Sequence, residues 1–143
     1  MSEKGTFPTE TSLKQEIAEY CKRYCIMPDF PTSDRWDVET GYRENQQFPD
    51  AAGAGCYAIY AADGELLYIG KAWQIGSRLA NYFMGIRSPS PGAPRPEHIW
   101  TKPPKYIQTI RVRESFEASS LEEYLIQKLR PCDNNRIGRL PLP

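Results

Sequence analysis

The chain has 143 residues, of which 40% are hydrophobic and 12% aromatic, and its formal net charge at pH 7 is zero. This size and composition predict one packed domain and argue against a disordered segment. No apolar run is long enough to cross a bilayer, and the N-terminal residues lack the apolar stretch of a signal peptide. We therefore expect a cytoplasmic protein without a membrane partner.

The first predicted element is an amphipathic helix over residues 12–25, where apolar side chains recur at helical spacing. Ser12, with Gln15 three residues later, fits a capping box at its start. Residues 28–54 show no period and many helix breakers, so we interpret them as a long arm over the core. Residues 1–54 are thus predicted to form an N-terminal helix and an extended arm.

A β-hairpin comes next. Residues 56–60 and 66–70 are rich in strand formers, and an Asp63-Gly64 turn signal separates them. Residues 106–112 have the same composition and predict a third strand. The sequence therefore predicts an α+β fold, with a small three-stranded antiparallel sheet flanked by helices.

Two helical stripes follow the hairpin. The first includes Ile75, Leu79 and Phe83, and Arg78 and Tyr82 lie at i and i+4, so we expect them to share one helix face beside this stripe. The second covers residues 116–129 and stops before a proline. Between the last strand and the first stripe, residues 87–104 hold six prolines and predict a loop, with His98 on its surface.

The charge is unevenly distributed along the chain. Residues 1–54 carry a net charge of −4, whereas residues 70–113 carry +7. A solvated face is the ordinary explanation of such an excess, but a basic stretch is also typical of a surface that binds a phosphate backbone. Because the stretch begins inside a tyrosine motif, we favour binding. The predicted DNA-binding residues are Lys71, Arg78, Arg87, Arg95, Lys102, Lys105, Arg111 and Arg113.

Chemistry-bearing residues cluster around two tyrosine motifs, Gly55-Cys56-Tyr57 and Tyr68-Ile69-Gly70. Strand alternation places Tyr57 on the opposite face from its neighbour Cys56. A strand tyrosine is usually a packing residue. A phenol can also act as a general base where positive charge and hydrogen bonds draw off its proton. Lys71 and Arg78 could supply that charge.

A guanidinium and a carboxylate complete the candidate site. Arg78 has the planar fork that suits a phosphate gaining charge in a transition state. Glu122 borders the buried stripe of the last helix, whereas Glu123 lies about 100° further round and faces water. A single carboxylate completed by water and phosphate oxygens is a typical Mg²⁺ arrangement, so Glu122 is the candidate metal ligand.

In this order, the motifs resemble the GIY-YIG nuclease superfamily, and most of all the N-terminal nuclease domain of UvrC-type excision-repair enzymes. The resemblance covers roughly residues 55–137. The family's asparagine falls twelve residues after Glu122, which is why we prefer Glu122 to Glu123. The family's further motifs are matched by Lys71-Ala72, Arg78, Tyr82-Phe83, Leu121-Glu122, Arg130-Pro131 and Asn134.

The resemblance implies that residues 55–143 form a metal-dependent DNA endonuclease domain that hydrolyses phosphodiester bonds. It implies one Mg²⁺ ion on Glu122, with Mn²⁺ as a substitute, and no other small-molecule cofactor. Tyr57 would be the general base for a water. The remaining roles, positioning and stabilising the phosphate and organising the site, fall to Tyr68, Lys71, Arg78, Tyr82 and Asn134.

Three departures leave alternatives open. Cys56 replaces the usual aliphatic residue of the first motif, residues 87–104 are longer than in the repair enzymes, and residues 1–54 have no identified counterpart. That segment could be a dimerisation arm of a homodimer, a specificity element or an autoinhibitory cover. Two other functions compete with cleavage. One is a catalytically silent nucleic-acid-binding module of the same fold, and the other is an interaction domain whose tyrosines belong to the core.

Overall fold

A computed structural model describes residues 6–134 of the chain. Within these residues, none of the helices is long and apolar enough to cross a membrane. The helices are α1 (Glu10–Arg23), α2 (Val38–Arg43), α3 (Ile75–Ala80) and α4 (Glu117–Leu129). The strands are β1 (Trp36–Asp37), β2 (Gly55–Ala61), β3 (Leu66–Ala72) and β4 (Pro104–Arg111).

The strands form one antiparallel sheet in the order β1-β4-β2-β3. The predicted hairpin is present as β2 and β3, and the predicted third strand is β4 on the other side of β2. The α+β class is confirmed. The prediction of three strands is wrong, because β1 adds a fourth strand at the outer edge of β4.

The fourth strand comes from the segment that we predicted to be an arm without regular structure. Trp36 pairs with Ile107 in β4. Just before it, Ser33 donates its backbone N–H to the carbonyl of Thr109 at 2.9 Å, so the arm runs along β4. A two-residue strand is too short to show a period in the sequence, and its partner lies about seventy residues away.

Side chains alternate between the two faces of the sheet, as predicted. Cys56, Ala58 and Tyr60 enter a hydrophobic cluster with the apolar faces of α1 and α4. Tyr57 and Ile59 enter a second cluster on the opposite face, with α3 and side chains of the arm. The N-terminal segment therefore contributes to both sides of the core.

Helix boundaries differ from prediction by one or more residues in α1, α3 and α4. Helix α1 begins at Glu10 and not at residue 12, because Thr9 and Ser12 form the capping box. Helix α3 ends at Ala80, and the following residues continue in turns, with the N–H of Tyr82 bonded to the carbonyl of Leu79. Tyr82 thus lies beyond the helix, and the predicted shared helix face with Arg78 is wrong.

Candidate active site

Three tyrosines meet on the α3 face of the sheet. Tyr57 comes from β2, Tyr68 from β3 and Tyr82 from the turn after α3, and the three pairs of ring centroids are 5.8 to 6.3 Å apart. The hydroxyls of Tyr57 and Tyr82 lie 2.7 Å apart and share a hydrogen bond. None of these three tyrosines is more than 2% exposed. The tertiary structure therefore assembles a closed, hydrogen-bonded phenol cluster from three separate parts of the chain.

The phenols of this cluster are protonated in the resting site. Burial is the main cause, because it raises the pKa of Tyr57 far above the ordinary value, and the neighbouring Tyr68 adds to the effect. Hydrogen bonds from Tyr82 and Arg78, and the charge of Arg78, act in the opposite direction. Only a change that adds positive charge or water beside the hydroxyl would make Tyr57 a useful base at neutral pH.

A carboxylate and an ammonium group face each other nearby. Glu122 of α4 places Oε1 3.8 Å from Nζ of Lys71 in β3, and their side chains are 20% and 48% exposed. Burial raises the pKa of Glu122, whereas the charges of Lys71 and Arg78 pull it down. Glu123 is exposed, as predicted. Glu122 is therefore a partly desolvated carboxylate that gains from a cation beside it.

Arg78 connects the two halves of the site. Its charge lowers the pKa of both Tyr57 and Glu122, so it lies within electrostatic reach of each. The arm fixes the helix that carries it. Ile75 donates its N–H to the carbonyl of Gly53 at 3.0 Å, and the next residue of α3 donates to the arm in the same way. Two of the N–H groups in the first turn of α3, which have no partner within the helix, are thus satisfied by residues 51–53.

Asn134 completes the edge of the sheet. Its Nδ2 donates to the carbonyl of Ile69 at 2.9 Å, and its Oδ1 accepts from the N–H of Ile69 at 3.1 Å. The side-chain amide therefore pairs with edge strand β3 as a neighbouring strand would. By this contact Asn134 holds the strand that carries Tyr68 and Lys71.

The proline-rich loop covers the tyrosines. Trp100 packs edge-on against Tyr68 and Tyr82, with centroids 6.2 and 6.0 Å away. His98 lies 5.0 Å from the ring of Tyr82 and is half-buried, so the prediction that it sits on the surface is wrong. A loop of many prolines has no period that could have revealed these contacts.

Asp133 anchors the end of this loop, and sequence reasoning missed it. The carboxylate is fully buried and accepts a hydrogen bond from Oγ1 of Thr101 at 2.6 Å and another from its backbone N–H at 3.1 Å. Asp133 also donates its own backbone N–H to the carbonyl of Leu67. A single acidic residue after a helix carries no sequence signal for such an anchor.

The predicted DNA-binding residues differ in their surroundings. Arg87 and Arg111 are exposed. Arg95 donates its Nε to the carbonyl of Phe83 at 2.8 Å and so holds the loop. Exposed ion pairs are weak, and a phosphate can replace the carboxylate in them. The paired basic residues are Lys71 with Glu122, Lys102 with Asp63 and Glu65, Lys105 with Asp37 and Glu39, and Arg113 with Glu117.

Gly70 is required by the ring of Tyr57, because the two residues are cross-strand partners. A Cβ on Gly70 would overlap Cζ and Oη of Tyr57. We expect Gly70→Ala to destabilise the fold by about 1–3 kcal/mol and to shift the phenol, as overpacking does. Thermal unfolding measures the loss of stability. Gly85→Ala is the matched control, because a Cβ at Gly85 meets nothing within 4 Å. Equal melting temperatures for the two variants would contradict the expectation.

The residues fit a single Mg²⁺ ion. Residues 6–134 contain no group of three or more His, Cys, Asp or Glu side chains that could hold a metal together. The partly buried carboxylate of Glu122 could hold such an ion, with water and phosphate oxygens in the other positions. Mg²⁺ accepts this arrangement because it retains several waters.

Curated relatives match part of the chain. The UvrABC system protein C of Borrelia duttonii (strain Ly) is 33% identical over 96 residues, which are 67% of this chain and 15% of the relative. That of Xylella fastidiosa (strain 9a5c) is 39% identical over 80 residues, or 56% of this chain and 12% of the relative. That of Helicobacter pylori (strain J99 / ATCC 700824) is 31% identical over 88 residues, or 59% and 15%. This chain thus spans about a seventh of these relatives.

The family model of the UvrC-like GIY-YIG domain matches residues 53–135. The match begins just before β2 and ends after α4, so it includes both tyrosine motifs, Arg78, Glu122 and Asn134. This chain belongs to the GIY-YIG nuclease superfamily, in its UvrC-like branch.

Proposed function

We propose that this protein is a DNA endonuclease that hydrolyses phosphodiester bonds with a tyrosine general base and one divalent metal ion. The observation that carries the proposal is the pairing of Glu122 with Lys71 at 3.8 Å, because Lys71 lies on β3, the strand that also carries Tyr68 of the phenol cluster. The charge of Arg78 also lowers the pKa of both Tyr57 and Glu122. A scissile phosphate between these groups would meet a base on one side and a metal ligand on the other. The membership of the family supports the same activity.

In the proposed mechanism, the minor phenolate form of Tyr57 takes a proton from the attacking water, whose oxygen then bonds to phosphorus. The bond to the leaving oxygen breaks at the same time, and the leaving oxygen takes a proton from solvent water. The hydroxyl of Tyr82, 2.7 Å away, holds the phenol of Tyr57 in place. Arg78 and Lys71 stabilise the charge that develops on the phosphate oxygens. Glu122 would hold the Mg²⁺ ion, which would supply further positive charge for the phosphate oxygens and the leaving group.

The test is incubation of the purified protein with supercoiled, linear and branched DNA in Mg²⁺, Mn²⁺ or EDTA. We expect cleavage with either metal and none in EDTA. Cleavage to the same extent in EDTA would refute the proposed metal requirement. The absence of cleavage of every DNA under all three conditions would refute the proposed endonuclease activity.

One observation favours a second candidate, the catalytically silent nucleic-acid-binding module. The three tyrosines are almost fully buried, as core residues are, and burial keeps their phenols protonated. This candidate predicts DNA binding without cleavage in Mg²⁺, so the same assay combined with a binding measurement separates the two functions.

DNA affinity is expected to fall with salt, because basic side chains release counterions from the backbone. Arg87 and Arg111 are exposed, so the double variant Arg87→Gln/Arg111→Gln should reduce the slope of log affinity against log salt by up to about 2. Fluorescence anisotropy at several salt concentrations measures the slope.

The control for this experiment is Lys22→Gln/Arg23→Gln, which removes the same charge from the last turn of α1 in the acidic N-terminal segment. It should leave the slope nearly unchanged. Equal slopes for the wild type and the Arg87/Arg111 variant would show that other residues form the DNA-binding surface. Arg136 and Arg139 would be candidates, and they lie outside the described residues.

A further inference from the structure

An open cavity of 410 Å³ adjoins the candidate active site. Its volume is in the range of sites that hold small organic groups. The strand β3, helix α3 and the first turn of α4 form its walls. Among the residues that line it in the described part of the chain, Lys71 and Arg78 are basic, none is acidic, and Trp73 is the only aromatic residue.

Trp73 is a large apolar side chain in this cavity that does not contribute to the hydrophobic core. It lies in the turn between β3 and α3, and 80% of it is exposed. Within residues 6–134, no other aromatic ring packs on its indole. By contrast, Trp36 and Trp100 both pack against neighbouring rings. An indole in water gains nothing from its apolar surface until a second flat group covers it.

Trp73 lies close to the two basic residues that would bind the scissile phosphate in the proposed function. Lys71 precedes it by two residues, Arg78 follows it by five, and all three line the same cavity. A nucleotide whose phosphate lies between the two cations would bring its own base, or an adjacent one, to this wall. Aromatic side chains beside a basic groove bind nucleotides by stacking on their bases, whatever the sequence.

We propose that Trp73 stacks on a nucleobase next to the scissile phosphate, so that the preferred substrate is DNA with an unstacked base at that position. This inference rests on the proposed function of the site. Both faces of a base within an intact duplex are already covered by its neighbours, so an indole can stack only where a gap, a single-stranded segment or a distortion opens one face.

The first test measures binding in EDTA, where no metal-dependent cleavage occurs. The probes are a single-stranded oligonucleotide and the corresponding intact duplex. We expect Trp73→Ala to weaken binding of the single strand about tenfold or more, and Trp73→Phe to retain most of it, because stacking needs an aromatic face. Binding of the duplex should change less than twofold. Tyr24→Ala removes another exposed aromatic that does not line the cavity, and should change neither affinity.

The second test reads the indole directly. Trp73 is more exposed than Trp36 and Trp100, so we expect the single strand to quench tryptophan fluorescence in the wild type but not in Trp73→Phe. Persistent quenching in that variant would overturn the proposal. So would unchanged affinity of Trp73→Ala for the single strand, or an equal loss for the single strand and the duplex. Neither test depends on cleavage. If the wild type did not cleave DNA, the proposed endonuclease activity would be refuted, and the stacking of Trp73 on a base could still be measured.

Discussion

Glu122→Gln is expected to reduce DNA cleavage by at least about 10³-fold, because the proposed metal would lose the carboxylate that holds it and with it several kcal/mol of transition-state stabilisation. The variant keeps the shape of the side chain and removes its charge. Initial rates on supercoiled DNA in Mg²⁺ measure the effect. Glu123→Gln is the matched control on the next residue of α4, and its rate should stay close to that of the wild type because Glu123 is exposed.

The fold should survive the Glu122 substitution. Burial raises the pKa of Glu122 in the folded protein above its ordinary value. A raised pKa means that the contribution of this group to stability is present at low pH and is lost as the pH rises through the folded value. The neutral amide should therefore be tolerated at pH 7, and its melting temperature should be no lower than that of the wild type. If the Glu123 variant did not cleave DNA and the Glu122 variant did, Glu123 would be the carboxylate that holds the metal.

Tyr57→Phe is expected to reduce cleavage by about 10²–10⁴-fold, the usual contribution of a general base. The substitution removes one hydroxyl and its hydrogen bond with Tyr82. Because Tyr57 is fully buried, the affinity for DNA should change little. Single-turnover cleavage and DNA binding in EDTA separate the two quantities. Tyr60→Phe is the matched control on the same strand, since Tyr60 is equally buried but points to the opposite face.

The pH profile tests the role of the Tyr57 phenol more closely. Its pKa is raised, so the fraction of phenolate is small at neutral pH and grows about tenfold for each pH unit. The wild-type cleavage rate should therefore increase from pH 7 to 9, and the residual rate of the Tyr57→Phe variant should lose this dependence. Wild-type rates in the variant would show that the phenol is structural and that another group activates the water.

Local patterns in the sequence determined much of this protein. Strand formers on both sides of the Asp63-Gly64 turn predicted the β2–β3 hairpin, because a hairpin joins neighbouring segments. The two-residue alternation placed Tyr57 and Cys56 on opposite faces, and the structure has them in different clusters. The helical period placed Glu122 beside the buried stripe of α4 and left Glu123 exposed. The motif spacing led to the family that the family model matches.

Only the tertiary structure decided how these parts meet. Strand β1 forms because β4 offers a free edge to an arm about seventy residues earlier in the chain. Tyr82 reaches Tyr57 because the chain leaves α3 at Ala80 and turns back over the sheet. Asn134 pairs with the edge of β3 through its amide, and the proline-rich loop closes over the tyrosines. No periodic pattern in the sequence predicts these contacts, because each joins groups that are distant in sequence. Each contact is stabilised only when the whole core is in place.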